Sequence, residues 1–196
     1  GDVYKRQEKA TAIRICGSQL FDENIVAPAL ALKVVRALGV KITNYLRSRE
    51  EVSTEEIIQN GESDFVEFKS TLRWNLKADK KDKAIENASL KTLVAFMNSN
   101  GGLLLVGIDD DGTPLGLESD RFPNPDKTLL HLTNLVKDRI GSIYLKFINA
   151  SIEEVQNRQV LRIDCQPATT PAYLIDGQQD HFYIRTGPST TSLRLS

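Results

Sequence analysis

The chain has 196 residues, of which 40% are hydrophobic and 26% charged, and its net charge is -1. That length holds one good-sized domain plus an extension, and the balance is that of an ordinary globular chain. The near-zero charge excludes a global pull toward nucleic acid or membranes, so any nucleic-acid site must be a local patch. Cys16 and Cys165 lie far apart and form no CxxC pair, so a reducing cytoplasm is expected rather than a disulfide framework. With only two histidines, no zinc site is expected. No apolar run reaches the roughly 20 residues of a membrane span; the longest, 25–35, is broken by Pro28 and Lys33.

Residues 1–7 resemble translated sequencing-adapter sequence and are set aside. With no starting methionine, the chain is expected to be a fragment at its N-terminus. Residues 8–52 read as a helical extension or the remnant of an upstream domain. Within 24–50, Leu30, Val34, Leu38, Ile42, Tyr45 and Leu46 recur at three- and four-residue steps as an apolar stripe. A packing or linker helix explains that stripe; a dimerising helix, and with it a homodimer, is the sharper alternative. Ser53-Thr-Glu-Glu56 is a capping box that starts a short helix over 54–59 and ends at Asn60-Gly61, which puts the domain boundary near 52.

From Phe65 to Lys69 side chains alternate, so Phe65, Glu67 and Lys69 share one face of a strand while Val66 and Phe68 share the other. Residues 69–83 are basic: Lys69, Arg73, Lys77, Lys80, Lys81 and Lys83 face only Asp79 and Asp82. Trp74 sits among them. Lysine and arginine around an exposed aromatic suit phosphate contacts and base stacking, whereas a solvated loop with Trp74 in the core is the plain reading. A helix is predicted over 82–97, ended by Asn98-Ser-Asn-Gly-Gly, whose glycines suit positive φ. Residues 103–108 form a continuous apolar run, hence a central strand buried on both faces. The acidic run 109–112 makes a turn, and 113–117 return as a short strand.

Asn124-Pro-Asp126 caps a third helix, about 126–140, with Leu129, Leu130, Leu132, Leu135, Val136 and Ile140 as its stripe. His131 beside it reads as a structural residue rather than a ligand. Residues 143–155 and 158–166 form a hairpin with Gln156-Asn157 at the tip. Residues 173–175 are a short strand turned by Asp176-Gly177, and 181–185 are the last clear strand. After it, Arg185 with Thr186, Ser189 and Thr190 could bind phosphate; a strand-to-helix cap with a structural arginine is the competing reading.

Three motifs carry a resemblance. Glu62-Ser-x-x-x-Glu67-Phe68-Lys69 comes first. Ala95-Phe96-x-Asn98-x-x-Gly101-Gly102-x-Leu104-x-x-Gly107-Ile108-x-Asp-x-Gly112 follows, and Phe182-Tyr-Ile-Arg185-Thr-Gly187-Pro-Ser-Thr190 closes the series. In this order the chain resembles the AlbA-2 domain shared with Schlafen proteins, over roughly 54–195. The resemblance implies an α+β, Alba-like domain at 53–196 with a mixed sheet and two main helices. It implies association with nucleic acid, DNA or RNA, as a module of a larger regulatory or defence protein. Some Schlafen members are metal-dependent ribonucleases with two glutamates and an aspartate at matching motif positions. Carried over, these are Glu62, Glu67 and Asp109 as ligands of Mg2+ or Mn2+, with Lys69 offsetting charge beside them. Within 109–111 the equivalent aspartate stays open. Nucleic-acid binding by Lys69, Arg73, Trp74, Lys77, Lys80, Lys81 and Arg185 is the expected function. A divalent-metal-dependent endoribonuclease is the alternative, and a scaffold without catalysis the third reading.

Overall fold

The computed structural model describes residues 53–177 and 179–193. The tail, the 8–52 extension and its apolar stripe lie outside the described residues. Ser53 caps helix α1 (Thr54–Asn60), its hydroxyl accepting the Glu56 N–H at 3.2 Å, and Gly61 closes the helix at φ +77°. The chain then forms β1 (Val66–Lys69), β2 (Trp74–Asn75), β3 (Lys80–Lys81), α2 (Lys83–Met97) and β4 (Gly102–Val106). Helix α3 (Pro125–Arg139), β5 (Ile148–Val155), β6 (Arg158–Cys165), β7 (Leu174–Asp176), β8 (Gln179–Thr186) and β9 (Ser189–Leu193) follow.

The main sheet has the order β1-β4-β6-β5. β1 runs parallel to β4, with Glu67 opposite Leu104 and Lys69 opposite Val106, while β6 is antiparallel to both β4 and β5. A parallel pair needs a crossover; here the β2–β3 hairpin and α2 supply it. The two distant motifs therefore lie side by side in one mixed sheet of an α+β domain.

β4 is buried on both faces, as its unbroken apolar sequence implies. Leu104 and Val106 join Leu90, Leu93, Val94, Leu132, Val136, Leu161 and Ile163 in the core under α2 and α3. Leu103 and Leu105 face the other way, with Phe68, Ile108, Val155 and Val160, where Ile57 and Ile58 of α1 pack against them. Burying each such side chain contributes roughly 1.5–3 kcal/mol relative to leaving it in water. Arg162 fastens α1 over that second layer, donating to Thr54 Oγ1 at 2.9 Å and pairing with Asp164 at 2.9 Å.

Of the two glycines at the start of β4, only Gly101 needs its backbone conformation: φ is +78°, and a Cβ there would come 2.6 Å from the Cys165 carbonyl oxygen. Gly102 has ordinary φ. Its requirement is room, since a Cβ would fall 2.4 Å from the Phe96 ring.

Several sequence expectations change. Residues 113–117 form no strand, only a bridge between Ile108 and Pro114. The stretch 142–147 is a 3-10 helix rather than the start of β5, because Gly141 at φ +127° redirects the chain. Leu130 is exposed, on the water side of the α3 stripe. The chain after β8 does not cap a helix: Gly187, at φ +61°, turns it into β9, completing a three-stranded sheet β7-β8-β9. The Gln156-Asn157 tip is as expected, both residues taking positive φ.

Candidate nucleic-acid interface

The basic segment folds as a small hairpin, with Trp74 opposite Lys81 and Asn75 opposite Lys80. Asn75 Oδ1 shapes its turn by accepting the N–H groups of Lys77 and Ala78. Its base is fixed by a residue that sequence reading missed. Asp120 is fully buried, and its carboxylate accepts the backbone N–H groups of Leu72, Arg73 and Trp74 at 2.8, 2.8 and 3.1 Å. Burial raises its pKa, and the three N–H donors and Arg73 oppose that rise without cancelling it. Nothing local marks Asp120 in the sequence, because its partners lie 46 to 48 residues away.

Trp74 is not a stacking platform. Its side chain is 9% exposed, its indole N–H donates to Asp79 at 3.0 Å, and the Arg121 guanidinium lies 3.9 Å over its ring. Arg121 also pairs with Asp79 at 2.6 Å, so the three residues latch the hairpin shut. The indole N–H and Arg121 hold the Asp79 carboxyl below its ordinary pKa. Arg73 is equally committed: it donates to the carbonyls of Asp120 and Arg121 and lies 3.5 Å over the Phe122 ring. Lys77, Lys80, Lys81 and Lys83 are exposed, and none makes an ion pair among the described residues.

At the edge of β1 the motif residues meet, though with different partners. Glu67 takes Lys69 on Oε1 at 2.5 Å and Arg185 on Oε2 at 2.8 Å. Arg185 also donates to the carbonyls of Ser63 and Asp64, and its side chain is 4% exposed. It is placed as a structural arginine, beneath the surface rather than facing solvent. Lys69 gives a second N–H to the Phe68 carbonyl at 2.9 Å. Glu62, though exposed, bends back so that Oε1 accepts the Phe68 N–H at 2.7 Å. Asp109 reaches β1 by accepting from Ser70 Oγ at 3.1 Å, whereas Asp111 accepts the Thr113 N–H within its own turn. Asp109 thus reaches the residue that follows β1. His131 pairs with Glu86 at 2.9 Å.

Residues 62–194 match the family described as Schlafen, AlbA_2. The chain belongs to this family. It is accordingly an AlbA-2 domain, of a family associated with nucleic acid. No curated protein matches it. Among solved structures it is similar to the DIP2311 protein from Corynebacterium diphtheriae, at 19% identity and a TM-score of 0.49, over 81% of this chain but only 26% of that one. It is also similar to the N-terminal domain of a RecG-related protein from Nitrosomonas europaea, at 22% identity and a TM-score of 0.43, over 61% of this chain and 76% of that one.

Two kinds of site are open to this AlbA-2 domain. Shared cation coordination needs several oxygens turned to one point. Glu67 already holds two cationic side chains and Glu62 is turned to a backbone N–H; among the described residues no group of three or more His, Cys, Asp or Glu is arranged to hold a metal ion. The side chains as placed do not fit a shared divalent cation. The hairpin, by contrast, presents unpaired ammonium groups on a fixed backbone, which suits phosphates.

Proposed function

We propose that this AlbA-2 domain binds nucleic acid through Lys77, Lys80, Lys81 and Lys83. The observation that carries it is four exposed lysines without ion pairs: Lys77, Lys80 and Lys81 on a hairpin held by Asp120 and by the Trp74–Asp79–Arg121 latch, and Lys83 at the start of α2. Each lysine that neutralises a phosphate releases a counterion, giving a slope of about -0.7 per contact on single strands and -0.9 on duplex in log K against log salt. The chain's net charge of -1 keeps the attraction local.

The test is binding to labelled single-stranded RNA and duplex DNA across a salt series, in wild type and in the triple variant Lys77→Ala, Lys80→Ala, Lys81→Ala. Weaker binding with a salt slope flatter by about 2 to 3 units is expected. Equal affinity and equal slope would remove the hairpin from the interface. The same samples, with Mg2+ or Mn2+ supplied and then chelated, address the endoribonuclease alternative on Glu62, Glu67 and Asp109. That chemistry requires Glu67 to release Arg185 and Lys69. Metal-dependent cleavage lost in Glu67→Ala, with binding retained, would establish it.

A further inference from the structure

With Trp74 covered, Phe65 is the one aromatic among the strongly exposed large apolar side chains of the described residues, at 51%. It edges a notch of about 70 Å³ where three segments meet: the turn into β1, the α2–β4 turn and the β8–β9 turn. The walls are Asp64, Ser99, Asn100, Gly101 and Gly187, with Arg185 at the floor. Fixed contacts hold these walls. Leu103 N–H donates to the Phe65 carbonyl at 2.7 Å, Ser99 Oγ accepts the Arg185 N–H at 3.0 Å, and Arg185 donates to the Asp64 carbonyl.

The polar groups at the rim are unspent. The Asp64 carboxylate and the Asn100 amide have no hydrogen-bond partner among the described residues. Ser99 Oγ, having accepted one bond, still has its own O–H to donate. An exposed ring beside unpaired acceptors and donors is the equipment that reads an unstacked base, the ring against its face and the polar groups along its edge. The notch has room for about two waters at roughly 30 Å³ each; it fits the edge of a base, not the whole base. A carboxylate at the rim repels phosphate, so the backbone of the ligand is left to the hairpin lysines.

We propose that this notch takes one unpaired nucleobase of a single strand, with guanine preferred. This rests on the nucleic-acid reading above and narrows it to single strands, because a base inside a duplex offers no free face to Phe65. Guanine presents two adjacent N–H donors, N1–H and N2–H, which match the two oxygens of a carboxylate as a bidentate pair. Uracil presents one N–H between two carbonyl oxygens, which Asp64 repels.

The experiment uses the full chain and a uridine-rich 12-mer RNA with one central guanine, a second RNA with uridine there, and a DNA duplex. Phe65→Ala is expected to weaken binding of the guanine RNA about ten-fold, since base–aromatic stacking is worth about 1–3 kcal/mol. Duplex affinity and the salt slope should not move. Phe65→Tyr should bind as wild type and Phe65→Leu as the alanine variant, which separates stacking from a folding defect. Asp64→Asn should reduce the guanine-over-uridine preference. Unchanged guanine-RNA binding in Phe65→Ala, alongside a loss in the triple lysine variant, overturns the notch and leaves the hairpin standing. Wild type that binds neither single strand nor duplex overturns both.

Discussion

The basic segment at 73–83 and the edge of β1 carry the same kinds of charge and use them in opposite ways. At the β1 edge, Arg185 and Lys69 converge on Glu67, and the arginine is buried under the β8–β9 turn. On the hairpin, Asp120, Asp79 and Arg121 hold the backbone and the tryptophan, which leaves the lysines in water. A cation therefore reports a binding surface only when the fold supplies it no carboxylate. Arginine, with a planar fork of five donors, is tied into the fold at positions 73, 121 and 185, as Lys69 is at the β1 edge, whereas Lys77, Lys80, Lys81 and Lys83 are left at the surface.

Substitutions can break that contrast. The largest effect is expected for Asp120→Ala, which strands three backbone N–H groups; at about 1–3 kcal/mol each when buried, and allowing for the relieved burial of a charge, the loss is about 4 kcal/mol in urea unfolding. Arg185→Ala leaves Glu67 with Lys69 alone and frees the carbonyls of Ser63 and Asp64, and is expected to cost about 3 kcal/mol. Stability within 1 kcal/mol of wild type for either variant would contradict its assigned place in the fold.

The latch can be followed by light. Trp74 is the only tryptophan. Asp79 has a depressed folded pKa, so its contribution is present above 3.8 and is lost as pH falls through the folded value. Asp120 runs the other way: its raised pKa favours the fold below 3.8, and that contribution fades as pH rises through the folded value. Trp74 emission is expected to shift to the red below pH 3.8, and Asp79→Ala is expected to show shifted emission already at pH 7. Identical emission from the variant and wild type at pH 7 would mean that Asp79 does not hold the ring. Smallest of all should be the stability change in the triple lysine variant, within about 0.5 kcal/mol, although its nucleic-acid binding falls. A larger loss would show those lysines serving the fold as Arg185 does.

Residues close in sequence made much of the domain legible. The Ser53 cap, the Asn124-Pro125 helix start, the Gln156-Asn157 tip and the two-faced burial of β4 follow from chemistry within a few positions. Whether a charged or aromatic side chain is free was not legible. Trp74 was covered by Arg121 from 47 positions away, Arg73 by Phe122, and Arg185 by Glu67 across 118. Asp120 had no local mark, and Phe65 read as one more strand residue until the turns beside it were in place.

Sequence by itself determined the family, the three helices and the longer strands, because capping, periodicity and turn chemistry act through neighbouring residues; the β2–β3 hairpin and β9 came only with the fold. Tertiary structure alone decided which cations face water and which carboxylates are spoken for. Partner choice for a charge depends on what long-range packing brings within about 4 Å, and no local pattern encodes that distance.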